Sequence, residues 1–334
     1  MRALVLSCYG GAECTALIEM PEPSPRPGEL LVRVHSAGLN PVDFKTRAGA
    51  LKIIHKYPLP IVMGNELSGI VEAVGPEVTR FGKGDRVFAR VDKTIMGAFA
   101  EYAVVHEDHA ARIPVSLDFP SAAAVPLAAL TALQALRDEL RLSTGRRVFI
   151  PGGAGGVGTF AIQIAKHLGA HVATTASPRG EALVKRLGAD VVIDYTRERF
   201  EEQLSGYDGA FDLLGGETLA RLWSMLQPGG RVVSIAGMPE PVTAQKDLGR
   251  GIGLTALFWL ASLTTRMRAA RHGCTYRYLF MHPSGADLAY LASLIEAKQL
   301  EVVIDRVFPF TEAKEAMAYL ETGRAKGKIV LEMS

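Results

Sequence analysis

Cysteine is scarce in this chain, which has only Cys8, Cys14 and Cys274 among its 334 residues. The number is odd, and no Cys-x-x-Cys pair occurs. The sequence therefore predicts no disulfide framework, and such cysteine usage is typical of a reducing compartment. The N-terminal run MRALVLSCYGG carries one arginine and indicates a first strand rather than a signal peptide. We expect a cytoplasmic protein.

Long apolar runs are also missing. The most apolar stretches, residues 122–136 and 252–263, are shorter than the roughly 20 residues that a membrane-spanning helix needs. The sequence predicts no transmembrane segment and no membrane partner. Excess charge of one sign is absent too, because Lys+Arg 37 nearly balance Asp+Glu 35. We therefore expect a small-molecule partner and no nucleic acid.

The chain is long enough for two domains, and its two parts differ in pattern. Residues 1–120 contain short strand candidates such as ELLVRVHSAG and GDRVFAR, separated by turn residues, which is typical of a small β-barrel or a β-sandwich. From about Ser121, buried strand candidates rich in Val and Ile alternate with helix candidates. This alternation predicts an α/β fold with a doubly wound parallel sheet.

The segment 238–275 contains a helix candidate, LTALFWLASLTTRMRAARH, whose first half is apolar and whose second half is basic. We expect one helix that packs its apolar part beside the sheet and leaves Arg266, Arg268 and Arg271 in solvent. The alternative is an interfacial helix on anionic lipid. The apolar and basic residues are separated along the chain more than around the helix.

A glycine-rich loop carries the strongest chemical signal. In PGGAGGVG, Gly153, Gly155 and Gly158 form G-x-G-x-x-G between the strand candidate RRVFI and the helix candidate TFAIQIAKHLG. Glycines allow the backbone to turn sharply and to approach a pyrophosphate, and the helix N-terminus offers free N–H groups. This context predicts a dinucleotide site that also uses Gly156 and Val157.

The end of the next strand candidate, AHVATTAS, favours one dinucleotide. An Asp or Glu at this position would accept hydrogen bonds from a free ribose 2′-OH, but the chain has Thr175, Ser177 and Arg179 here. A serine hydroxyl and a guanidinium suit a 2′-phosphate. The sequence therefore predicts NADPH. Ser177 could equally be a helix N-cap before Pro178, and Glu181 should face outward from the following helix.

Eight ordered motifs span nearly the whole chain: AGLNPVDFKTRAG, GNELSGIVEAVG, FGKGDRVFA, GAFAEYAVV, PLAALTALQAL, GGAGGVG, LGADVVIDY and RAKGKIVL. With them the chain resembles the quinone oxidoreductase branch of the medium-chain dehydrogenase/reductases. The resemblance implies a GroES-like catalytic domain (1–122 and 284–334) and a Rossmann NADPH-binding domain (123–283) with six parallel strands. It also implies an active site in a cleft and a homodimer.

Metal-dependent members of the resembled family have zinc ligands at three positions that this chain fills with Asn40, Asn65 and Leu127. Zinc needs thiolate, imidazole or carboxylate donors, which none of these residues offers. Glu66 remains, but a single carboxylate is not a catalytic zinc site. We therefore expect no metal.

The resemblance also suggests residues for the reaction and the cofactor. Asn40 could donate to a substrate oxygen or orient the nicotinamide ribose, or it could simply start a turn. Tyr57 could hydrogen-bond and protonate a substrate, or be a surface tyrosine. Thr131 could contact the nicotinamide or bond back to its own helix. The remaining expected cofactor contacts are Tyr195, Gly237 and Lys328, of which Lys328 could instead be solvated. Asp43 and Lys45 fit a charge pattern at the start of a helix.

The reaction expected without zinc is hydride transfer to a quinone or to the C=C bond of a small conjugated carbonyl, because the developing charge is delocalised. Two alternatives stay open. One is an enoyl-thioester reductase, and the other is a nucleotide-binding structural or RNA-associated relative without turnover.

Overall fold

The computed structural model describes residues 1–92 and 94–333. The strands of this part of the chain are β1 (Arg2–Leu6), β2 (Thr15–Glu19), β3 (Glu29–Leu39), β4 (Ile61–Val62), β5 (Glu66–Val74), β6 (Arg86–Arg90), β7 (Tyr102–His106), β8 (Ala110–Arg112), β9 (Arg147–Ile150), β10 (His171–Ala176), β11 (Val191–Asp194), β12 (Tyr207–Asp212), β13 (Leu226–Ser234), β14 (Thr275–Tyr278), β15 (Ile304–Pro309) and β16 (Lys328–Glu332).

The α-helices of the same part of the chain are α1 (Pro41–Arg47), α2 (Phe119–Ala123), α3 (Pro126–Leu133), α4 (Gly156–His167), α5 (Pro178–Arg186), α6 (Phe200–Gln203), α7 (Gly216–Arg221), α8 (Ile252–Ala261), α9 (Leu263–Arg271), α10 (Gly285–Glu296) and α11 (Ala313–Glu321). Short 3-10 helices are Ala12–Cys14, Glu107–His109, Leu222–Met225 and Phe310–Glu312, and π-helical segments are Gln134–Glu139 and Thr243–Asp247.

The chain forms two compact units, the first comprising Met1–Leu130 with Pro283–Ser334 and the second Thr131–His282. In the first unit, a seven-stranded sheet has the order β15-β16-β3-β5-β6-β8, and β7 also pairs with β3. The long strand β3 alternates as its sequence predicts, since Leu30, Val32 and Val34 are buried in the core of this unit. This sheet positions Glu66 at the start of β5 and Lys328 at the start of β16.

A disulfide between Cys8 and Cys14 joins the segments that follow β1 and precede β2. The expectation that the chain has no disulfide is therefore wrong. Antiparallel pairing of β1 with β2 sets Leu6 opposite Thr15, and the backbone N–H of Ser7 donates to the carbonyl of Cys14. This pairing brings together two cysteines whose sequence spacing carries no recognisable motif. Cys274 is a buried free thiol.

The second unit confirms the predicted doubly wound sheet of six parallel strands, in the order β11-β10-β9-β12-β13-β14. Strand β9 lies at its centre, and its residues Val148, Phe149 and Ile150 are completely buried, which explains their uninterrupted apolar run. The strand order reverses between β9 and β12. Ligands of such sheets bind outside the carboxyl ends of the strands at this reversal.

The segment 238–275 differs from the expected single helix. It forms α8 and α9, which are separated at Ser262, whose hydroxyl donates to the carbonyl of Phe258 at 2.7 Å. The expected packing of the apolar half is wrong as well, because Phe258 is the buried member of α8 while most of its other apolar residues are exposed. Within residues 1–92 and 94–333, no helix is both long and apolar enough to cross a membrane.

Candidate functional site

The glycine loop joins β9 to α4 in the second unit, and each glycine of the motif has its own reason to lack a side chain. A Cβ on Gly153 would lie 2.1 Å from Oγ1 of Thr174, and one on Gly158 would lie 2.5 Å from the carbonyl oxygen of Gly152. A Cβ on Gly155 would meet only that carbonyl, at 3.4 Å. The outer glycines therefore close the loop onto strand and helix, while Gly155 leaves its backbone open to a ligand.

The loop delivers backbone donors to the start of α4. Gly155 is the N-cap, so the N–H groups of Gly156, Val157 and Gly158 belong to the first turn, which has no partners within its own helix. Thr175 supports the loop, since its hydroxyl accepts a hydrogen bond from the Gly152 N–H at 3.0 Å. Free N–H groups and the positive end of the helix dipole suit the pyrophosphate of a dinucleotide.

The end of β10 has the polarity that the sequence predicts. Ser177 caps α5, but its hydroxyl makes no capping hydrogen bond. Arg179 is exposed, and across the part of the chain that the structure describes its guanidinium has no ion-pair partner. Glu181 is also exposed, and its carboxylate accepts a hydrogen bond from Nζ of Lys185 at 2.6 Å. Glu181 is thus paired along its own helix, while Asp194 of the neighbouring strand β11 lies opposite Ala176 and accepts a hydrogen bond from the Thr196 hydroxyl at 2.7 Å.

Two further expected cofactor residues follow strands of the same sheet. Tyr195, which follows β11, is 61% exposed. Gly237 lies beyond the end of β13, and its N–H donates to the Ser234 hydroxyl at 2.8 Å. A Cβ on Gly237 would lie 2.4 Å from the phenol oxygen of Tyr276, so only glycine fits there.

Asp212, at the end of β12, is a structurally important residue that the sequence reasoning missed. Its carboxylate accepts hydrogen bonds from the Ser234 hydroxyl at 2.6 Å and from the N–H of Gly215 at 2.9 Å. Burial raises the pKa of this carboxyl, and these hydrogen bonds oppose the rise. Asp212 thereby ties the segments after β12 and β13 together at the carboxyl edge of the sheet. An acid ending a buried strand was the available signal.

In the first unit, the side chains of Lys328 and Glu66 form a buried ion pair. Nζ of Lys328 lies 2.7 Å from Oε1 of Glu66, and it also donates to Oδ1 of Asn40 at 2.5 Å and to the carbonyl of Leu39 at 2.8 Å. The three N–H donors of the ammonium therefore have three acceptors. Lys328 is 3% exposed, so the solvated alternative is wrong, and these contacts do not support the expected contact with the cofactor.

Asn40 belongs to the same network. Its amide nitrogen donates to Oε1 of Glu66 at 2.6 Å and to the Gly38 carbonyl at 3.3 Å, while its backbone N–H donates to Oδ2 of Asp43 at 2.7 Å. Asn40 thus precedes α1 as its N-cap, as the turn alternative proposes, and both of its amide hydrogens already have acceptors. Lys45 is exposed on α1.

Asp43 is completely buried next to this network. Burial raises the pKa of its carboxyl to about 6, although the hydrogen bonds from Asn65 and Asn40 and the charge of Lys328 favour the ionised form. The Asn65 amide donates to Oδ1 of Asp43 at 2.5 Å. The carboxyl therefore links Asn40 and Asn65, two of the three positions at which metal-dependent members of the resembled family have zinc ligands.

The structure brings the three resembled ligand positions to one place around Glu66. Its Oε1 accepts from Asn40, and its Oε2 accepts from the backbone N–H of Leu127 at 2.6 Å. Asn65 joins through Asp43. Two amides, a leucine and an ammonium do not make a zinc donor set, and both oxygens of the one carboxylate are already hydrogen-bonded. These residues do not fit a catalytic zinc ion.

Tyr57 is buried, at 8% exposure, so the surface-tyrosine alternative is wrong. Its backbone is held by Tyr9, whose phenol oxygen accepts from the Tyr57 N–H at 2.9 Å and donates to its carbonyl at 3.3 Å. The ring packs edge-on against His55. Burial raises the pKa of the Tyr57 phenol to about 12, and the positive charge of Arg90 opposes this rise. The phenol is therefore protonated at neutral pH.

Arg90, at the end of β6, is a second residue that sequence reasoning missed. Its Nη1 donates to the carbonyl of Asn65 at 3.1 Å and to that of Val91, and the side chain is 4% exposed. Burial lowers the pKa of Arg90, while the charges of Asp43 and Glu66 raise it. A charged residue ending the run GDRVFAR was the signal for this buried cation.

Thr131 lies on α3 and is 3% exposed. It is the first residue of the second unit, whereas Asn40, Tyr57 and Lys328 belong to the first. The expected site residues thus form two groups. In the first unit, Asn40 and Lys328 contact Glu66. In the second unit, the glycine loop, Ser177, Tyr195 and Gly237 follow strands of the six-stranded sheet.

Two domain families of known dehydrogenases match the chain. An alcohol dehydrogenase GroES-like domain matches residues 26–115, and a zinc-binding dehydrogenase domain matches residues 187–331. The first match agrees with the predicted GroES-like fold of the N-terminal part.

Relatives of known name cover most of the chain. The mitochondrial NAD(P)H oxidoreductase RTN4IP1 of Danio rerio is 35% identical over 328 residues, which cover 92% of this chain and 84% of that protein. The chloroplastic NADPH-dependent alkenal/one oxidoreductase of Arabidopsis thaliana is 34% identical, covering 99% of this chain and 79% of that protein. The solved quinone oxidoreductase of Coxiella burnetii has a TM-score of 0.86 and 31% identity, covering 100% of this chain and 99% of that one.

Proposed function

We propose that this chain, which belongs to the medium-chain dehydrogenase/reductase family, is an NADPH-dependent oxidoreductase of quinones or small conjugated carbonyls. The names of relatives that act on alkenals, alkenones and quinones support this substrate class. The proposed enzyme is a homodimer, the state that the resemblance implies.

The glycine loop is the observation that carries the proposal. Its closed packing at Gly153 and Gly158, with a single carbonyl contact at Gly155, fits a pyrophosphate against the start of α4. Ser177 and the unpaired Arg179 suit the 2′-phosphate that distinguishes NADPH from NADH. When bound, NADPH supplies a hydride. Tyr195 and Gly237 remain proposed contacts of the same cofactor, and Thr131 remains the proposed contact of its nicotinamide.

The reaction that we propose needs no zinc. Lys328, Glu66 and Asn40 satisfy one another where a metal would need free donors. Without a Lewis acid, the oxidation of a simple alcohol lacks the group that stabilises the alkoxide. A conjugated carbonyl or quinone instead spreads the incoming charge, so that hydrogen-bond donors near its oxygen suffice.

Tyr57 is the proton donor that we propose. Its buried phenol holds a proton at Oη at neutral pH, because its pKa lies near 12. A protonated phenol in a dry environment can donate to a developing enolate oxygen and then release its proton to it. For Asn40 we propose a positioning role, in which its amide holds the Glu66 carboxylate in place. Both of its amide hydrogens already bind Glu66 and the Gly38 carbonyl, so neither is left to donate to a substrate oxygen.

NADPH oxidation with a panel of quinones, enals and enoyl-CoA tests the proposal. We expect turnover with quinones or enals. Turnover with enoyl-CoA alone would instead identify an enoyl-thioester reductase, which needs space for a phosphopantetheine arm. Binding of NADPH without turnover on any member of the panel would identify a non-enzymatic nucleotide-binding protein.

A further inference from the structure

Helix α8 exposes an unusual amount of apolar surface. Its exposed fractions are 89% for Ile252, 64% for Leu260, 47% for Trp259 and 43% for Leu257. With 100° between successive residues, these four side chains occupy a broad arc opposite the buried Phe258. Soluble helices usually place charged and polar residues on such an outer arc. Here the outer arc is as apolar as the inner one.

Helix α9 follows directly and is basic. Arg268 and Arg271 are exposed on it, together with Met267 at 48% exposure. Arg266 turns back towards α8, where its guanidinium stacks 5.4 Å from the ring centroid of Trp259 and donates to the Trp259 carbonyl at 3.1 Å. This contact connects the end of the apolar helix with the start of the basic one.

The sequence around these helices lacks negative charge entirely. No Asp or Glu occurs from residue 248 to residue 286, a stretch that contains Arg250, Arg266, Arg268, Arg271 and Arg277. Arg277 is buried and ion-paired with acids outside this stretch, including Glu240 and Asp247. The exposed charge of the stretch is therefore purely positive.

The occupant of this surface must match both an apolar helix and uncompensated arginines. A second copy of the chain would offer apolar residues, but the same stretch in that copy has no acid to pair with Arg268 and Arg271. The surface of an anionic bilayer offers both an apolar layer and phosphate oxygens within a few ångströms of each other. Tryptophan is also a favoured side chain at the membrane–water boundary.

We propose that α8 and α9 form a docking site for an anionic lipid bilayer. The docking surface consists of Ile252, Leu257, Trp259, Leu260, Arg268 and Arg271. Helix α8 is too short to cross the bilayer, so it lies at the boundary between headgroups and acyl chains, and the arginines of α9 bind lipid phosphates. The apolar and basic residues are separated along the chain because they lie on two successive helices. Helix α8 contacts the acyl chains, and α9 contacts the lipid phosphates. This inference is independent of the proposed reaction.

Vesicle co-sedimentation of the whole protein tests the docking surface. The probes are vesicles of phosphatidylcholine alone and of phosphatidylcholine mixed with phosphatidylglycerol. We expect binding to the anionic vesicles that weakens as salt concentration rises. Arg268→Gln/Arg271→Gln should lower the partition coefficient about fivefold for each arginine lost. Ile252→Glu/Leu260→Glu should lower it at least tenfold, since the apolar arc then carries two carboxylates.

Matched controls separate docking from general effects of charge and hydrophobicity. Val115→Glu changes an apolar residue that is 87% exposed in the other unit, and Arg197→Gln/Arg324→Gln removes two exposed arginines elsewhere. Both controls should bind anionic vesicles like the unaltered protein. Equal loss in the controls, or equal binding of neutral and anionic vesicles, would overturn the proposal. So would a fall in native molar mass on Ile252→Glu/Leu260→Glu with no vesicle binding by the unaltered protein, because the surface would then join two copies.

Discussion

Nζ of Lys328 and Oε1 of Glu66 lie 2.7 Å apart in the interior of the first unit, at the place where the resembled metal enzymes hold zinc. Both side chains are almost completely inaccessible to water. The fixed positive charge of this centre thus comes from the chain itself. The Asn40 amide and the Leu127 backbone N–H donate the remaining hydrogen bonds to the Glu66 carboxylate.

Removing one member of this pair should be strongly destabilising, because the other charge would remain buried and uncompensated. Lys328→Met or Glu66→Gln should each lower the free energy of unfolding by about 3 to 5 kcal/mol. The double variant should lose much less than the sum. Denaturant unfolding measures this coupling, and the exposed pair Glu181–Lys185 should show a coupling of only about 0.3 to 0.5 kcal/mol. Additive losses at Lys328 and Glu66 would mean that the two charges do not depend on each other.

Because of Asp43, the free energy of unfolding should fall as pH rises, which is the opposite of the usual effect of a carboxyl group. Its pKa rises from 3.8 to about 6 on folding, so the folded state binds its proton more tightly. The associated stability is fully present below pH 3.8 and is lost as pH rises through 6. Between pH 4 and 7, the unaltered protein should therefore lose about 2.4 kcal/mol relative to Asp43→Asn.

Asp85 provides the control of opposite sign. Its hydrogen bond and ion pair with Arg112 lower the pKa of its carboxyl, so its contribution is present above its ordinary pKa and lost as pH falls. Urea unfolding of Asp43→Asn and of Asp85→Asn between pH 3.5 and 7, each compared with the unaltered protein, distinguishes the two directions. A difference between Asp43→Asn and the unaltered protein that is independent of pH would show that Asp43 has an ordinary pKa.

Tyr57→Phe should lower kcat about 10²-fold if this phenol is the acid, because one positioned proton donor contributes about that factor. Affinity for NADPH should not change, since the glycine loop belongs to the other unit. Tyr319→Phe is the matched control, because it removes a phenol that donates to Asp305 within the same unit as Tyr57. Steady-state kinetics with an accepted quinone or enal gives kcat for both variants and for the unaltered protein. Full turnover of Tyr57→Phe on every substrate would assign protonation to solvent.

Arg179→Ala should weaken NADPH binding by about 1.5 to 3 kcal/mol, the range for a hydrogen bond to a charged group, and leave NADH affinity unchanged. Arg197→Ala is the control, since Arg197 is an exposed arginine beyond the next strand. Fluorescence titration with both dinucleotides gives the affinities. The preference for NADPH is refuted if the unaltered protein binds NADH equally well.

The sequence predicts the second unit well because its signals are local. The buried run Val148, Phe149 and Ile150 marks a central parallel strand, and the glycines that follow mark a tight turn into a helix. Both depend on residues close together in the chain, and the structure confirms the doubly wound parallel sheet.

The features that the sequence did not predict depend on contacts that no local sequence pattern marks. Lys328 and Glu66 are 262 residues apart, so nothing near either residue shows that they pair. Cys8 and Cys14 are brought together by the pairing of β1 with β2. The apolar run of α8 predicts a helix, but its exposure depends on whether another element covers it, which hydrophobicity alone does not encode.

Zinc-independent reduction is tested by comparing two values of kcat/KM in one preparation that contains a metal chelator. One is for NADPH-dependent reduction of a quinone or enal, and the other is for oxidation of a simple primary alcohol. Loss of alkoxide stabilisation by a metal is worth several kcal/mol, so reduction should exceed alcohol oxidation by at least about 10²-fold. Metal analysis of the same preparation should find no stoichiometric zinc. Efficient alcohol oxidation that disappears with the chelator, together with one tightly bound zinc per chain, would contradict the account.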